Sequence, residues 1–398
     1  MLRLLGINTV PHRHAESTTW LELFFDLVYV AILVVLGNRL SHSLSLQGVV
    51  EYALLFIPIW LSWLDPVFYS SRFPTDDIGH RLLTVAYMGV MVSMAFELHG
   101  VTGNTATTFL LAYAASKAIL ALMYVRAWKQ HPDYRSLAGA HVIIFSVLTV
   151  VWVAIALWEP QGFPWWAVAS GLGLLAPFAI PLIGNWLGRQ PMLKPPVKAL
   201  YVLDRFGELT LIVLGEFFLK AALSAGERES YLFTTFFGVG LLGVSVGLWW
   251  LYFDHLEHST LSGDKARSRV WIDLHYPFLA AVAAYGVAGT QVLALAPGDG
   301  LADEKRLLLC GALAVALLAG AGLEWAAPER KEPRARQPQI WVRLAAASVL
   351  VLLALWGGAV SAPLLVALIA LPFVALVAVD AYAGLKRPLV VTVVTVTE

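Results

Sequence analysis

Glu22 and Asp26 interrupt a run that otherwise suits lipid, Trp20-Leu21-Glu22-Leu23-Phe24-Phe25-Asp26-Leu27-Val28-Tyr29-Val30. Four residues apart, they share one face of a helix. A carboxylate at membrane depth is costly unless it is paired, protonated or wetted, so the default reading of such a residue is functional. The chemistry open to it is proton uptake and release, or contact with a cation. Further on, Asp204, Arg205, Glu208 and Glu216 interrupt a second apolar run. Asp65 and Asp254 each close a tryptophan-rich run, and Lys117 stands alone among apolar residues.

These charges need long apolar helices to hold them. The 398-residue chain is 59% hydrophobic and only 14% charged, with a mean hydropathy of +0.72. Soluble domains are not composed this way. Apolar runs of about twenty residues recur, the length that crosses a bilayer core of about 30 Å. The pattern predicts twelve spans, at 18–38, 49–70, 81–99, 106–126, 138–158, 164–187, 199–220, 231–253, 271–295, 304–326, 340–359 and 361–384. Fusion of the last two around Gly357-Gly358 would give eleven. The expected fold is thus an all-α polytopic transmembrane bundle.

Of the 27 Lys and Arg residues, twenty fall on the side that twelve spans assign to both termini. Five fall opposite, and Lys117 and Arg205 lie inside spans. This asymmetry predicts cytoplasmic N- and C-termini. Net charge is zero, which gives no case for a nucleic-acid partner, and one cysteine, Cys310, excludes a disulfide framework within the chain. The expected surroundings are membrane lipid, with a small ion or metabolite as substrate. No cofactor is expected. A phosphate-loop pattern is absent, and the expectation leans away from an enzyme.

Depth separates the charges. At 1.5 Å per residue, Asp26 lies about 12 Å in from the cytoplasmic edge, and Glu208 and Lys117 about 13 Å. Glu22, Asp65, Asp204 and Arg205 fall one or two turns nearer that edge, and Glu216 lies toward the outer face. Lys117 is the expected partner of Asp26, and Arg205 that of Glu22 or Asp65. Glu97, Glu324 and Asp380, at span ends, read as structural charges. Acids outnumber bases in the set, so some acid must be protonated or must meet water or a cation.

The chain divides at a proline-rich basic stretch, Gln190-Pro191-Met192-Leu193-Lys194-Pro195-Pro196-Val197-Lys198. Residues 1–189 and 199–387 then form two six-span halves around a linker at 190–198, followed by a tail at 388–398. Glu22-Leu23-Phe24-Phe25-Asp26-Leu27 aligns on Asp204-Arg205-Phe206-Gly207-Glu208-Leu209, and Trp60–Asp65 on Trp249–Asp254. Asp26 precedes Asp65 by 39 residues and Glu208 precedes Asp254 by 46. An even number of spans per half makes the expected repeats parallel, related by an axis along the membrane normal.

The Trp20–Val30 run resembles the N-terminal signature of the bacterial low temperature requirement protein A family. Asp204-Arg205-Phe206-Gly207-Glu208-Leu209-Thr210-Leu211-Ile212-Val213-Leu214-Gly215-Glu216 is similar to its second signature, with Asp204 where the family usually has Glu. Leu248–Asp254 resembles a third. The resemblance implies a polytopic inner-membrane protein associated with growth in the cold, and it supplies no biochemical activity.

The residues themselves favour a proton- or cation-coupled transporter. In that reading Asp26 and Glu208 titrate, and Glu22, Asp65, Asp204 and Asp254 line the cytoplasmic part of the path. A cation channel is the second reading. The third is a membrane-embedded enzyme or sensor, in which His255, His258 and His275, with Asp254 nearby, hold a divalent metal at the cytoplasmic mouth.

Overall fold

A computed structural model describes residues 18–101, 106–158, 171, 175, 179–187, 198–225, 231–257, 265–295, 300–326 and 336–385. The proline-rich linker up to residue 197, most of the sixth expected span, His258 and the side chain of His255 lie outside the described residues. So do the side chain of Asp380 and the tail at 388–398.

Twelve helices follow one another: α1 (Trp20–Ser41), α2 (Leu46–Arg72), α3 (Ile78–Glu97), α4 (Ala106–Gln130), α5 (Arg135–Trp158), α6 (described over 179–187), α7 (Ala199–Ala225), α8 (Tyr231–Glu257), α9 (Lys265–Leu293), α10 (Asp303–Ala326), α11 (Arg336–Trp356) and α12 (Ala362–Leu385). Among the described residues, ten helices are long and apolar enough to cross a membrane. The described part of α6 is short, while α7 has the length, at 27 residues, but carries Asp204, Arg205, Glu208, Glu216 and Lys220. The protein is therefore a multi-pass membrane protein, all-helical among the described residues. The last two helices are separate, divided by a short 3-10 turn over Gly357–Ala359.

Helix starts follow local chemistry. Thr19 caps α1 in a capping box: its hydroxyl accepts from the Glu22 N–H, and the Glu22 carboxylate accepts from the Thr19 N–H at 2.8 Å. Asp77 caps α3 by accepting from the His80 N–H at 2.8 Å, and its carboxylate also accepts from Arg126 at 2.6 Å. Burial pushes the Asp77 carboxyl up, but the His80 N–H and Arg126 outweigh this and hold it below the usual range. Asp77→Ala removes the cap and should cost about 1 kcal/mol, read as a lower melting temperature in detergent; an unchanged melt would mean that Arg126 and the cap contribute nothing.

In α2, Pro66 lacks the N–H that would bond the Ser62 carbonyl. The Tyr87 hydroxyl of α3 donates to that carbonyl instead, at 2.9 Å. Pro58 and Pro66 thus bracket the part of α2 that carries Trp63 and Asp65.

Along α1, Phe25, Asp26, Tyr29, Ile32, Leu33 and Leu36 form a buried stripe at helical spacing, while Phe24 and Leu27 are exposed. The stripe lies in a seam where α1 and α2 meet α7 and α9. Two tyrosines cross-tie that seam: Tyr52 of α2 donates to the Ala280 carbonyl at 2.8 Å, and Tyr276 of α9 donates to the Ala53 carbonyl at 2.6 Å. Contacts between α1 and α7 advance together. Glu22 meets Tyr201, Asp26 meets Arg205, and Gly37 lies beside Lys220. The two helices therefore run parallel. Away from the seam, α3, α4 and α5 pack in succession, and so do α9, α10 and α11.

Candidate functional site

Asp26 is fully buried, and two donors converge on its Oδ1. Trp63 Nε1 of α2 donates at 2.7 Å, and Arg205 Nη2 of α7 donates at 2.7 Å. Arg205 is 1% exposed. Asp26 Oδ2 accepts no hydrogen bond among the described residues, and Arg205 Nε and Nη1 donate none. The surroundings are aromatic: Trp60 stacks on Trp63 at 5.3 Å, Phe206 stands edge-on to Trp63 at 5.0 Å, and Arg205 lies 6.0 Å from the Trp63 ring. Water is thereby kept from the ion pair, and an ion pair in such surroundings interacts more strongly than one at a surface.

Arg205 has a second acid within reach. Glu208, one turn on, lies 3.9 Å from Nη1 and its side chain is 29% exposed. One guanidinium thus stands between a fully buried carboxylate on α1 and a partly exposed one on its own helix. Glu22 lies a turn nearer the helix ends and accepts from the Tyr201 hydroxyl at 2.5 Å.

Two expected pairings are corrected. Lys117 does not meet Asp26; its ammonium lies 2.7 Å from Asp65 Oδ2 and 4.6 Å from the Tyr113 ring. The reason is the packing order: α4 lies against α2, α3 and α5, so its lysine meets α2 first. Arg205 does not pair with Glu22 or Asp65, because the parallel register of α1 and α7 sets it beside Asp26. Glu216 pairs with Lys220 on its own helix. Asp204 is exposed and Asp254 half-buried.

His275 is fully buried, with both ring nitrogens engaged: Nε2 with the Tyr252 hydroxyl at 3.0 Å and Nδ1 with the Trp271 carbonyl at 2.8 Å. This is a core histidine, not a mouth ligand. Among the described residues no group of three or more His, Cys, Asp or Glu side chains is placed to hold a metal ion.

Three participants escape sequence reasoning. Trp63 is visible only as part of a repeated aromatic run, and nothing in its spacing marks it as the donor to Asp26. Tyr201 gives no signal beyond lying four residues before Arg205. Arg343 reads as a topology-setting charge, yet it is buried and lies 3.2 Å from Glu324, which is 1% exposed. Arg343 also donates to the Leu251 and Gly320 carbonyls at 3.1 and 3.2 Å, so it staples α8, α10 and α11. Glu324, at its span end, is the ion-pair partner of Arg343. Arg343→Met strands the buried Glu324 and removes two backbone contacts, so it should lower the melting temperature in detergent; an unchanged melt would mean that the staple contributes nothing.

Together, the helices and the buried cluster define a multi-pass helical membrane protein with an ion pair between its first and seventh helices. The chain belongs to the bacterial low temperature requirement A protein (LtrA) family, whose model matches residues 17–380. It is also similar to an uncharacterized protein of Rhizobium meliloti (strain 1021), 25% identical over 253 residues. That match covers 62% of this chain and 60% of the relative's length.

Proposed function

We propose that the protein is a proton- or cation-coupled transporter of the bacterial inner membrane, with twelve spans, both termini cytoplasmic, and two six-span halves related as parallel repeats. The observation that carries the coupling is Arg205, held between sealed Asp26 on α1 and partly wetted Glu208 on α7. A proton on Asp26 removes the charge that holds Arg205, and Glu208 then becomes its stronger partner. A buried guanidinium without a carboxylate is costly, so proton occupancy and the position of α7 against α1 are linked. Because the pair crosses the seam, each exchange loosens and remakes contact between the halves, as alternating access requires. For a cation, Asp26 Oδ2 is the available oxygen.

The repeat reading is supported by parallel α1 and α7 and by the shared packing order α3–α4–α5 and α9–α10–α11. The aligned positions do not have equal surroundings. Trp63 donates to Asp26, whereas its aligned residue Tyr252 meets His275. The two acids therefore have different tasks in this reading: Asp26 is the sealed site and Glu208 the more exposed one.

The test is flux in liposomes loaded with a pH-sensitive dye. Slow, saturable, gradient-driven movement is expected, and ohmic conductance would replace the carrier with a channel. Glu208→Gln should fold normally, since its acid is partly exposed, and should slow pH-dependent flux by about 10²-fold or more, the loss expected when a positioned proton-transfer group is removed. Reporter fusions at Met1 and Glu398 should both read cytoplasmic; a C-terminal fusion reading outside would remove the twelve-span count.

A further inference from the structure

A groove of about 520 Å³ opens between the ends of α4, α5 and α6, remote from the ion-pair seam. Val125, Val142, Ile143 and Leu187 give it apolar walls. Gly139 gives it a floor, since a Cβ there would stand 3.3 Å from Leu187 and 3.7 Å from Trp128. One end is polar, formed by Arg135 and Ser136 beside Trp128. Arg135 lies over the Trp128 ring at 5.5 Å and donates through Nε to the Trp128 carbonyl at 3.3 Å. That contact fixes the guanidinium at the mouth, and its two terminal nitrogens have no protein acceptor among the described residues.

The volume falls within the roughly 300–1,000 Å³ of small-molecule sites. Its polarity is graded along one axis. Trp128 and Arg135 lie at helix ends, where aromatic and basic side chains meet headgroups. Val142, seven residues beyond Arg135, lies about 10 Å deeper at 1.5 Å per residue. Between residues 128 and 136, Lys129 and Arg135 outweigh Asp133. An apolar slot with a net-positive mouth matches one molecule class in a bilayer, and basic pockets between helices at the cytoplasmic side select anionic headgroups.

We infer that this groove is a specific site for an anionic glycerophospholipid of the surrounding bilayer, with one acyl chain between α5 and α6 and the phosphate against Arg135 and Ser136. The inference is independent of what the protein transports.

The full chain, purified in mild detergent, is titrated with phosphatidylglycerol or phosphatidylcholine and examined by native mass spectrometry. One phosphatidylglycerol per chain should be retained in preference to phosphatidylcholine. Arg135→Gln should weaken that retention about fivefold, the effect of one basic residue near a membrane surface. Ile143→Trp, which fills the slot and leaves the charge in place, should abolish it. Both residues are exposed, so both variants should stay folded and monodisperse. Equal retention of the two lipids, or unaltered phosphatidylglycerol retention in Arg135→Gln, overturns the assignment, and Arg135→Gln decides it alone should the tryptophan variant aggregate.

Discussion

Arg205→Met should destabilise the protein by about 3–5 kcal/mol, the cost of leaving one member of a buried ion pair behind. Asp26 is fully buried, and its remaining donor is the Trp63 indole, which cannot neutralise a charge. The double variant Asp26→Asn with Arg205→Met should regain most of that stability, because no lone charge remains and the side-chain amide carbonyl introduced on α1 still accepts from Trp63. Denaturation in mixed micelles measures both changes. Flux separates structure from mechanism: the restored double variant should fold yet show no pH-dependent transport. Normal pH-dependent flux in a well-folded Asp26→Asn protein, or in the double variant, would remove the coupling role and leave a staple.

The Asp65–Lys117 pair should respond unequally to loss of either partner. Lys117 is 1% exposed and Asp65 is 23% exposed. Asp65→Asn strands a buried ammonium that has the Tyr113 and Phe145 rings, but no carboxylate, to face it among the described residues, which should cost about 3–5 kcal/mol. Lys117→Met leaves an acid that water already reaches, so the cost should be about 1 kcal/mol, within the range for a partly exposed pair. The ratio is the informative quantity. Equal losses would mean that Asp65 is as sealed in solution as Lys117 is here.

The helices are legible because the signal that writes them is long and redundant. Each needs a run of about twenty apolar residues, and nearly every boundary falls within a few residues of expectation; α9, which starts six residues before the predicted Trp271, is the widest miss. The depth of Asp26 is legible for the same reason. Its partner is not, because depth along a helix says nothing about which neighbour faces it. Lys117 and Arg205 are both buried bases at workable depth, and only the packing order assigns one to Asp65 and the other to Asp26. His275 shows the same gap: an Asp–His-rich segment reads as a ligand set until Tyr252 and the Trp271 carbonyl are found on its two nitrogens. Trp63 stays hidden because an indole donor and a packing indole look alike in a sequence.

Asp26 and Arg205 stand 179 residues apart in the chain. A ribosome working at about 5–20 residues per second needs roughly 9–36 s to travel that distance. For that time the nascent first half holds a carboxylate in its core whose counter-charge does not yet exist. Glu22 waits equally long for Tyr201. Maturation of the first half is therefore tied to arrival of the seventh helix, and a chain that terminates before residue 199 should remain a substrate for membrane proteases however apolar its spans are. Passage of synthesis beyond the seventh helix is thus checked by the same two atoms, Asp26 Oδ1 and Arg205 Nη2, that close the seam.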